Sequence, residues 1–565
     1  MYLYNNFKIC ACFFELNIVY IAYIINSLKA NCMINKNDHN QILLFDPWDF
    51  LEPKRRSMLD QSWAGFFQKE ILRDLPVKEL IPSFSRTMGR PSKELYTMLG
   101  VLVLQQAHDL TDNETIFQFL FNTQWHYALN IVDESDSAKY VSLKTLWSFR
   151  QILIEKKLDT VLFEKITAKL AKAFNVNTDK QRIDSVHIKS NMRRLGRISI
   201  FSTSINKFLI NLRRKYPNQF KDIDTNVVEK YLSDKSLSCF SLVKPSDSPK
   251  TLADVSNDLF DLIEQFKGCS EVTSMYSYKL LERVLEEHCN LEVTDGDHKV
   301  GIKKPKEIPA DSLQNPSDPD ATYSGHKGQG YQVQVMETYT DTEDREAKNK
   351  TLNLITHISV EKASQSDAHA LVPAIESVKE RDLSPQELQA DSLYGRDENC
   401  EYAKSEGIDL VSPTMGATKS EGMTLSDFEL SANGQVERCP QGHTPVIKKN
   451  KKGRITQGFS LDTCYSCPLV DDCPVKSGKK YYYLRYNQKS ARLAMRRANE
   501  QTDEFKNRYR WRAGVEATMS EFDRLTGVKR LRFRGFKSVR FAAILKAIGV
   551  NIFRATAVRR AASYA

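Results

Sequence analysis

Three side chains near the C-terminus have types and a spacing that could support chemistry: Tyr509, Arg512 and Glu516. A helix turns by about 100° per residue, so a helix here would place the phenol, the guanidinium and the carboxylate on one face. A carboxylate beside a cation, in a basic region, could bind a metal ion next to a nucleic-acid phosphate. The same spacing also suits an ordinary Arg–Glu surface pair, so this stretch alone leaves both interpretations open.

Two aspartates upstream lie where a carboxylate is costly or where ligands bind. Asp184 lies inside the apolar, strand-like run 182–188, and Asp391 ends a short predicted strand before a glycine-containing turn. A buried charge is costly unless it binds a metal or accepts hydrogen bonds, and α/β sheets bind ligands at the carboxyl ends of strands. For Asp184, a capping or turn role is the alternative.

Asp184, Asp391 and Glu516 are therefore the candidate catalytic residues, on two strands and a C-terminal helix. In a ribonuclease H-like fold such elements converge, and three carboxylates there can hold two divalent cations. The cations would activate a water or hydroxyl for attack on a phosphodiester. Oxygen ligands favour Mg²⁺ or Mn²⁺.

The charge of the 565-residue chain is unevenly distributed. Residues 476–565 contain 23 Lys and Arg against 6 Asp and Glu, a net charge of +17, whereas the whole chain carries only +10. Such a segment predicts a polyanionic partner, most plausibly nucleic acid. Within it Lys529, Arg530, Arg532 and Arg534 alternate with apolar and aromatic residues, which suits contacts with phosphates and bases. A solvated basic surface, or an edge packed on the core, is the alternative.

The eleven cysteines form an odd count in a chain of globular composition, which argues against a secreted disulfide framework and predicts a reducing cytoplasm. Four of them cluster, and these are the candidate zinc ligands: Cys439, Cys464, Cys467 and Cys473. His443 is a candidate substitute ligand. A single Cys-x2-Cys pair is weaker evidence than two such pairs, so unliganded cysteines are the alternative.

Residues 9–28 are nearly all apolar and long enough for a membrane helix, but Glu15 lies among them and no clean cleavage site follows. Met33 opens a more ordinary start. We hypothesise that translation begins at Met33, that residues 1–45 are a doubtful extension, and that no membrane is bound. N-terminal mass analysis tests this hypothesis, and a membrane anchor is the alternative.

The remaining pattern predicts a mixed α/β fold. Helix Leu95–Ala107 is apolar nearly all round, Thr111 with Glu114 forms a capping box, and Ser142 can cap another helix. We divide the chain into a helical N-terminal domain for DNA ends or a purely structural role (46–175), the first part of the core (176–200), a helical insertion (201–300), the continued core (301–413), a Cys-rich insertion (414–486) and the basic C-terminal part (487–565).

In the order of its motifs the chain resembles the DDE transposases of bacterial insertion sequences, in the branch whose last carboxylate lies in a Tyr-x2-Arg-x3-Glu signature. Tyr509, Arg512 and Glu516 match that signature. Further similar motifs are Arg90-Pro91, Asp318-Pro319-Asp320-Ala321, Gly330-Tyr331, Ala390-Asp391 with Tyr394-Gly395, Arg532-Phe533-Arg534-Gly535, and Asn551. The resemblance covers most of the chain from about Asp46 onward.

The resemblance implies a ribonuclease H-like core that performs Mg²⁺- or Mn²⁺-dependent cleavage and strand transfer at the terminal inverted repeats of its own element. It implies that Tyr509 and Arg512 touch DNA phosphates near the cleaved end. It further implies at least a dimer, since two ends must be brought together, and a cytoplasmic protein associated with the nucleoid.

One departure from the family concerns the position seven residues after Glu516. The family often has Lys there, whereas this chain has Asp523 followed by Arg524, and Arg524 is a candidate substitute for the DNA contact. Two other functions stay open: a structure-specific nuclease on the same fold, and a zinc-bearing DNA-binding protein that is no longer catalytic.

Overall fold

A computed structural model describes residues 33–39, 46–233, 240, 243–294, 297–416, 422–451 and 453–563. The apolar stretch 9–28, and with it the membrane-anchor alternative, lies outside these residues. Within them one helix, Phe536–Ser563, is long and apolar enough to cross a membrane, but most of it is packed inside the protein.

The N-terminal part is helical, as predicted. Its helices are α1 Pro53–Asp60, α2 Trp63–Phe66, α3 Val77–Leu80, α4 Leu95–Ala107, α5 Asp112–Phe121, α6 Thr123–Ala128, α7 Asp136–Lys139, α8 Leu143–Glu155 and α9 Leu158–Ala173. Both predicted caps are confirmed. Thr111 and Glu114 form a reciprocal capping box at α5, and the Ser142 hydroxyl accepts the Thr145 N–H at 3.2 Å at α8. Each cap satisfies amide groups that a helix start leaves without partners.

The strands are β1 Lys180–Lys189, β2 Cys289–Thr294, β3 Asp297–Ile302, β4 Thr322–Ser324, β5 Gly328–Thr338, β6 Ile355–Lys362, β7 Glu387–Gln389, β8 Asp409–Val411, β9 Glu429–Leu430, β10 Val436–Arg438, β11 Ile447–Lys451, β12 Arg454–Phe459, β13 Lys476–Ser477 and β14 Tyr482–Asn487. The central sheet has the order β6–β5–β1–β7–β8, and β4 pairs with the start of β5. Strand β5 lies between β6 and β1 and is antiparallel to both, as predicted for the pair β5 and β6. Strands β1, β7 and β8 run parallel.

Helices alternate with the strands over the rest of the chain, so the mixed α/β prediction is confirmed. They are α10 Arg197–Lys215, α11 Pro217–Phe220, α12 Thr225–Leu232, α13 Ser248–Phe266, α14 Ser270–Thr273, α15 Tyr276–His288, α16 Arg345–Lys350, α17 Leu371–Lys379, α18 Asp397–Ser405, α19 Leu461–Tyr465, α20 Gln488–Glu500, α21 Asp503–Tyr509, α22 Gly514–Thr526 and α23 Phe536–Ser563. Short 3₁₀ turns lie at Leu72–Asp74, Ile81–Ser83, Pro305–Glu307, Asp367–His369, Leu425–Asp427, Arg510–Ala513 and Val528–Arg530, and a π turn lies at Phe67–Ile71.

The predicted helical insertion 201–300 is helical only as far as α15. Strands β2 and β3 then form an antiparallel hairpin, with Cys289 opposite Ile302. The reason is a change of period in the sequence. Cys289, Leu291 and Val293 alternate with polar residues, which is the pattern of a strand rather than of a helix. The helices of the insertion pack around an apolar core of their own.

The predicted continuous helix through Tyr509, Arg512 and Glu516 is wrong. Helix α21 ends at Tyr509, a 3₁₀ turn follows, and α22 begins at Gly514. The physical reason is a contact from β1. Arg182 Nη1 donates to the Trp511 carbonyl at 2.8 Å, and a Cβ on Gly514 would lie 2.2 Å from that nitrogen. Only a glycine lets the chain pass so close to the guanidinium.

The long helix α23 packs between the N-terminal helices and the central sheet. One apolar core joins the N-terminal helices, the sheet and α23. The buried Asn551 amide accepts the Ile355 N–H and donates to the Ile355 carbonyl, both at 2.9 Å, so it pins α23 to strand β6. Helix α23 also approaches α4 very closely at Gly549. A Cβ added to Gly549 would lie only 2.6 Å from the Ala107 Cβ. The domain boundaries given above stay predictions.

Candidate functional site

Asp184 lies on β1 of the central sheet, and Asp391 lies two residues beyond the end of the neighbouring strand β7. Arg182 on β1 is level with Gln389 on β7, and the strands are parallel, so continuing the register by two residues brings Asp391 next to Asp184. The electrostatics agree. Burial raises the pKa of Asp184, the Asp391 and Asp367 charges raise it further, and Arg512 opposes them. The sheet therefore brings together the first two predicted carboxylates.

Arg512 joins the third carboxylate to this pair. Its Nη2 lies 2.7 Å from Asp184 Oδ2, and its Nη1 lies 3.7 Å from Glu516 Oε1. The Glu516 side chain is 74% exposed, so it reaches the site from the solvent side. The Arg512–Glu516 ion pair of the alternative interpretation is therefore present. The same guanidinium, however, also binds the Asp184 carboxylate on β1.

Tyr509 lies beside the same carboxylates although it belongs to a different helix. Burial raises the pKa of its phenol, Asp391 and Asp184 raise it too, and Arg512 opposes them. Its ring stacks on Phe505 with 5.5 Å between the centroids. The three signature residues lie on α21, on the 3₁₀ turn and on α22, and the backbone of Tyr509, Arg510, Ala513 and Gly514 keeps right-handed helical dihedrals.

Sequence reasoning missed a second polar layer behind Asp184. The Asp367 Oδ1 accepts a hydrogen bond from Gln334 Nε2 at 2.8 Å, and Gln334 also accepts the Tyr394 hydroxyl. Lys327 Nζ lies 3.0 Å from the Ser185 hydroxyl and 3.5 Å from Asp367 Oδ2. The signal for Asp367 was available, since it closely follows a strand end as Asp391 does. Lys327 comes from a loop whose fold the sequence did not show.

A buried ionic network fixes the elements that carry the site. Glu337 on β5 accepts from Arg182 Nε at 2.8 Å, from Arg554 Nη1 at 2.9 Å and from the Thr518 hydroxyl at 2.8 Å. Burial alone would raise the pKa of Glu337, but Arg554 and Arg182 outweigh it, so the pKa is lowered. Arg182 also holds the Trp511 carbonyl. The network therefore links β1, β5, α22 and α23 around one carboxylate.

Asp523, which replaces the expected lysine, has a structural role. Its carboxylate accepts the Lys529 N–H at 3.1 Å, and its carbonyl accepts the Gly527 N–H. It thus closes the turn after α22. Arg524 and the Lys529 side chain are exposed, and Lys529 Nζ lies 3.9 Å from Asp523 Oδ2. Nothing in these contacts tests whether Arg524 or Lys529 binds DNA.

The predicted DNA-binding arginines of the following segment are exposed, but two of them have protein partners. Arg532 Nη1 donates to the carbonyl and the carboxylate of Asp109, both at 2.8 Å. Arg534 Nε donates to Asn191 Oδ1 at 3.1 Å. Arg530 is exposed beside them. These residues join the N-terminal helices to the loop after β1, and DNA binding by them stays a prediction.

The motifs that carried the resemblance contact one another. Asp318 accepts from the Tyr331 hydroxyl at 2.6 Å and from the Gly535 N–H at 2.9 Å. Asp320 accepts the Phe536 N–H at 2.9 Å, which caps the start of α23. Their shared function is structural, since they fix the start of the central helix on the sheet.

The four predicted zinc ligands line one cavity, together with His443. Burial, and then the neighbouring Cys473, Cys439 and Cys467, raise the pKa of Cys464 to about 11. Among the described residues, however, no three His, Cys, Asp or Glu side chains are grouped so as to hold a metal ion, and this holds for Asp184, Asp391 and Glu516 as well as for the cysteines. Zinc binding is therefore not supported by this geometry and stays a hypothesis, which metal analysis of the purified protein tests.

Comparison with known families decides the assignment of the chain. The family described as Transposase DDE domain matches residues 438–556, and Transposase domain (DUF772) matches residues 66–152. The chain carries the domains of a DDE transposase of the insertion-sequence type. No curated protein and no solved structure matches the transposase. The first match includes Glu516 and the cysteine cluster, whereas Asp184 and Asp391 lie outside both matches.

The family matches make this transposase an enzyme of mobile elements that acts on DNA. They agree with its mixed α/β fold. The Tyr-x2-Arg-x3-Glu branch is not distinguished by either match, so it stays a prediction.

Proposed function

We propose that the protein cleaves DNA at the terminal inverted repeats of an insertion sequence and transfers the strand to a target. The observation that supports this most directly is the Arg512 guanidinium between Asp184 and Glu516, with the charge of Asp391 close enough to Asp184 to raise its pKa. The strongly basic C-terminal part supplies the charge that DNA binding requires. Two DNA ends have to be held together, so we propose a homo-oligomer, at least a dimer, for the active complex.

The proposal includes a ribonuclease H-like core. It is supported by a central strand with one carboxylate, a parallel neighbour with the second, and a C-terminal helix with the third. Asp184 lies on β1, Asp391 is the second residue after β7, and Glu516 lies on α22. The insertion α10–α15 leaves and returns between β1 and β4, away from the β1–β7 pairing.

Asp184, Asp391 and Glu516 would hold Mg²⁺ or Mn²⁺. The fit rests on charge, since the three carboxylates are not grouped closely enough in this structure to enclose a metal ion: Asp391 and Asp367 make ionisation of Asp184 unfavourable, and the cationic Arg512 group bridges Asp184 and Glu516. A carboxylate cluster that already binds one cationic group has oxygen ligands of the kind these metals prefer. When bound, the metals supply activation of a water or hydroxyl and stabilisation of the leaving oxygen.

The remaining side chains would position the DNA. A guanidinium binds phosphate through two parallel hydrogen bonds, so Arg512 can exchange its contact with Asp184 for one with a DNA phosphate. The Tyr509 phenol keeps its proton, since burial and the neighbouring carboxylates raise its pKa, and it can donate to a phosphate oxygen. Lys327, 3.0 Å from the Ser185 hydroxyl, adds a further cation at the same place.

The test is an in vitro reaction with DNA that carries the element ends, in Mg²⁺ or Mn²⁺. Asp184→Ala, Asp391→Ala and Glu516→Ala should each lower cleavage at least about 100-fold, because each removes a metal ligand. DNA binding should persist. Glu504→Ala, an exposed carboxylate on α21, is the matched control and should cleave normally.

Full strand transfer by any of the three variants would show the assignment of these ligands to be wrong. Cleavage without joined products would instead indicate a structure-specific nuclease. DNA binding that needs no metal, with no cleavage by the unaltered protein, would indicate a DNA-binding protein that is no longer catalytic.

A further inference from the structure

A cleft opens at the N-terminus of α10, the first helix of the insertion. Its lining includes Arg194, Gly196, Arg197, His288 and Tyr323. Among the described residues that line it, none is Asp or Glu. The two arginines therefore face the cleft without a carboxylate lining it beside them, which makes it electropositive. Neither the carboxylate site nor the basic C-terminal part includes these residues.

The helix itself adds to this charge. Helix α10 is 19 residues long, begins after Gly196, and has no side-chain cap at its N-terminus. The first amide groups of a helix have no partner within it, and the aligned peptide dipoles concentrate positive charge there. Such a terminus is suited to a phosphate group. A helix start alone would not identify a site, but a second feature of the cleft points to a ligand.

That feature is His288, at the end of α15. Its side chain is 2% exposed, yet neither ring nitrogen has a hydrogen-bond partner among the described residues. Burial, and then the nearby Arg197, Lys303 and Arg283, lower the pKa of His288 to about 4. The imidazole is therefore neutral at pH 7 and has an N–H to donate. A buried donor of this kind calls for a partner that the protein does not supply.

Arg194 is the exposed cation of the cleft, whereas Arg197 is held by two backbone carbonyls. The Arg194 guanidinium lies 4.3 Å from the centre of the Tyr323 ring and 3.3 Å from its hydroxyl, and the residue is exposed. Arg197 donates to the carbonyls of Lys303 at 2.9 Å and His288 at 3.1 Å. Arg194 can therefore be changed without breaking a buried contact.

We infer that this cleft binds one phosphate group of the DNA backbone. The inference rests on the proposed function, since DNA is the polyanion concerned. The loop that precedes α10 also connects the cleft to the basic segment: Asn191 accepts from Arg534 Nε at 3.1 Å and donates to the Arg532 carbonyl at 3.3 Å. A duplex that contacts Arg532 and Arg534 thus lies within a few residues of Arg194. A free phosphate shares the chemistry and is separated by the test.

The test compares the full-length protein with two variants that lose the same charge at opposite ends of α10. Arg194→Gln removes the cleft cation. Arg214→Gln, whose guanidinium bonds only the Asn211 side chain among the described residues, is the matched control. Binding of a labelled 30-base-pair DNA is measured over a range of salt concentrations. One lost phosphate contact should reduce the slope of log K against log salt by about 0.9 for Arg194→Gln, and leave it unchanged for Arg214→Gln.

Equal slopes for the two variants would overturn the subsite while leaving the proposed function intact. Failure of the unaltered protein to bind DNA would overturn the proposed function itself. A second arm adds inorganic phosphate without DNA. If phosphate raises the Tm of the unaltered protein but not of Arg194→Gln, while the DNA slopes stay equal, the cleft binds free phosphate and the DNA inference is wrong.

Discussion

At the scale of single residues, the fold disfavours the charged form of Asp184. Asp184 has a raised pKa because burial and two neighbouring carboxylates disfavour its charge, and Arg512 only partly compensates. Such strain is expected where a site awaits a cation, because the ligands are arranged for the bound state. The residues that make the site work should therefore lower the stability of the protein without ligands.

Asp184→Asn tests this at the residue scale. A carboxyl whose pKa is raised by folding favours the folded state at low pH, and this contribution is lost as pH rises through the raised value. Asparagine does not ionise, so the variant should gain stability relative to the unaltered protein at about pH 8, and gain less at about pH 4. Thermal unfolding without divalent metal, at the two pH values, measures it.

Asp112→Asn is the control of opposite sign. Burial raises the pKa of Asp112, but the Arg150 guanidinium outweighs it and the pKa is lowered, so the contribution is present above the ordinary value and lost in acid. This variant should lose stability at about pH 8. If Asp184→Asn behaved in the same way as Asp112→Asn, the account of Asp184 as a strained ligand would be contradicted.

At the scale of elements, the Glu337 network decides how the strands and helices meet. It holds Arg182 on the strand of Asp184 and Thr518 on the helix of Glu516, two residues from each ligand. An error in the relative position of these elements would move the carboxylates apart. The network therefore positions the site without touching it.

Glu337→Gln should destabilise the protein by about 3–5 kcal/mol, because it leaves the buried Arg182 guanidinium without a carboxylate and Arg554 with Glu521 as its one remaining carboxylate partner among the described residues. Unfolding in urea measures the free energy. The control is Glu343→Gln, which removes an exposed carboxylate 3.1 Å from Arg510 and should change little. Equal effects of the two substitutions would show that the buried network does not hold these elements together.

At the scale of the whole molecule, the N-terminal helices and the core form one apolar interior, while the insertion has another. Helix α23 passes through the larger core and touches both the sheet and α4. The N-terminal part should therefore unfold together with the carboxylate site.

Gly549→Ala tests the contact between α4 and α23. Alanine normally favours a helix by about 1 kcal/mol over glycine, but here its Cβ would lie 2.6 Å from the Ala107 Cβ and 2.7 Å from its Cα. We expect a net loss of about 1–3 kcal/mol, measured by thermal unfolding. Gly268→Ala is the same substitution where nothing lies within 4 Å, and it should not destabilise. A stabilised Gly549→Ala would contradict the close approach of the helices.

Local signals in the sequence determined most of the elements. The caps at Thr111 and Ser142, the strand around Asp184 and the pair β5 and β6 all follow from patterns a few residues long. Asp184 and Asp391 were singled out because a charge in a strand, or just after its end, is costly and therefore informative, and Glu516 because of its spacing from Tyr509 and Arg512. Family matches then confirmed the kind of protein that the motif order indicated.

The tertiary structure decided what depends on distant residues. The break between α21 and α22 is imposed by Arg182, more than 300 positions earlier, so no local pattern could show it. Asp367 and Lys327 join the site only through the pairing of strands, and His288 meets the start of α10 only because the insertion folds back. Local sequence patterns reflect interactions between residues that are close in the chain, and these interactions select helices, caps and strands. Contacts between side chains that are far apart in the chain form only when the whole chain has folded.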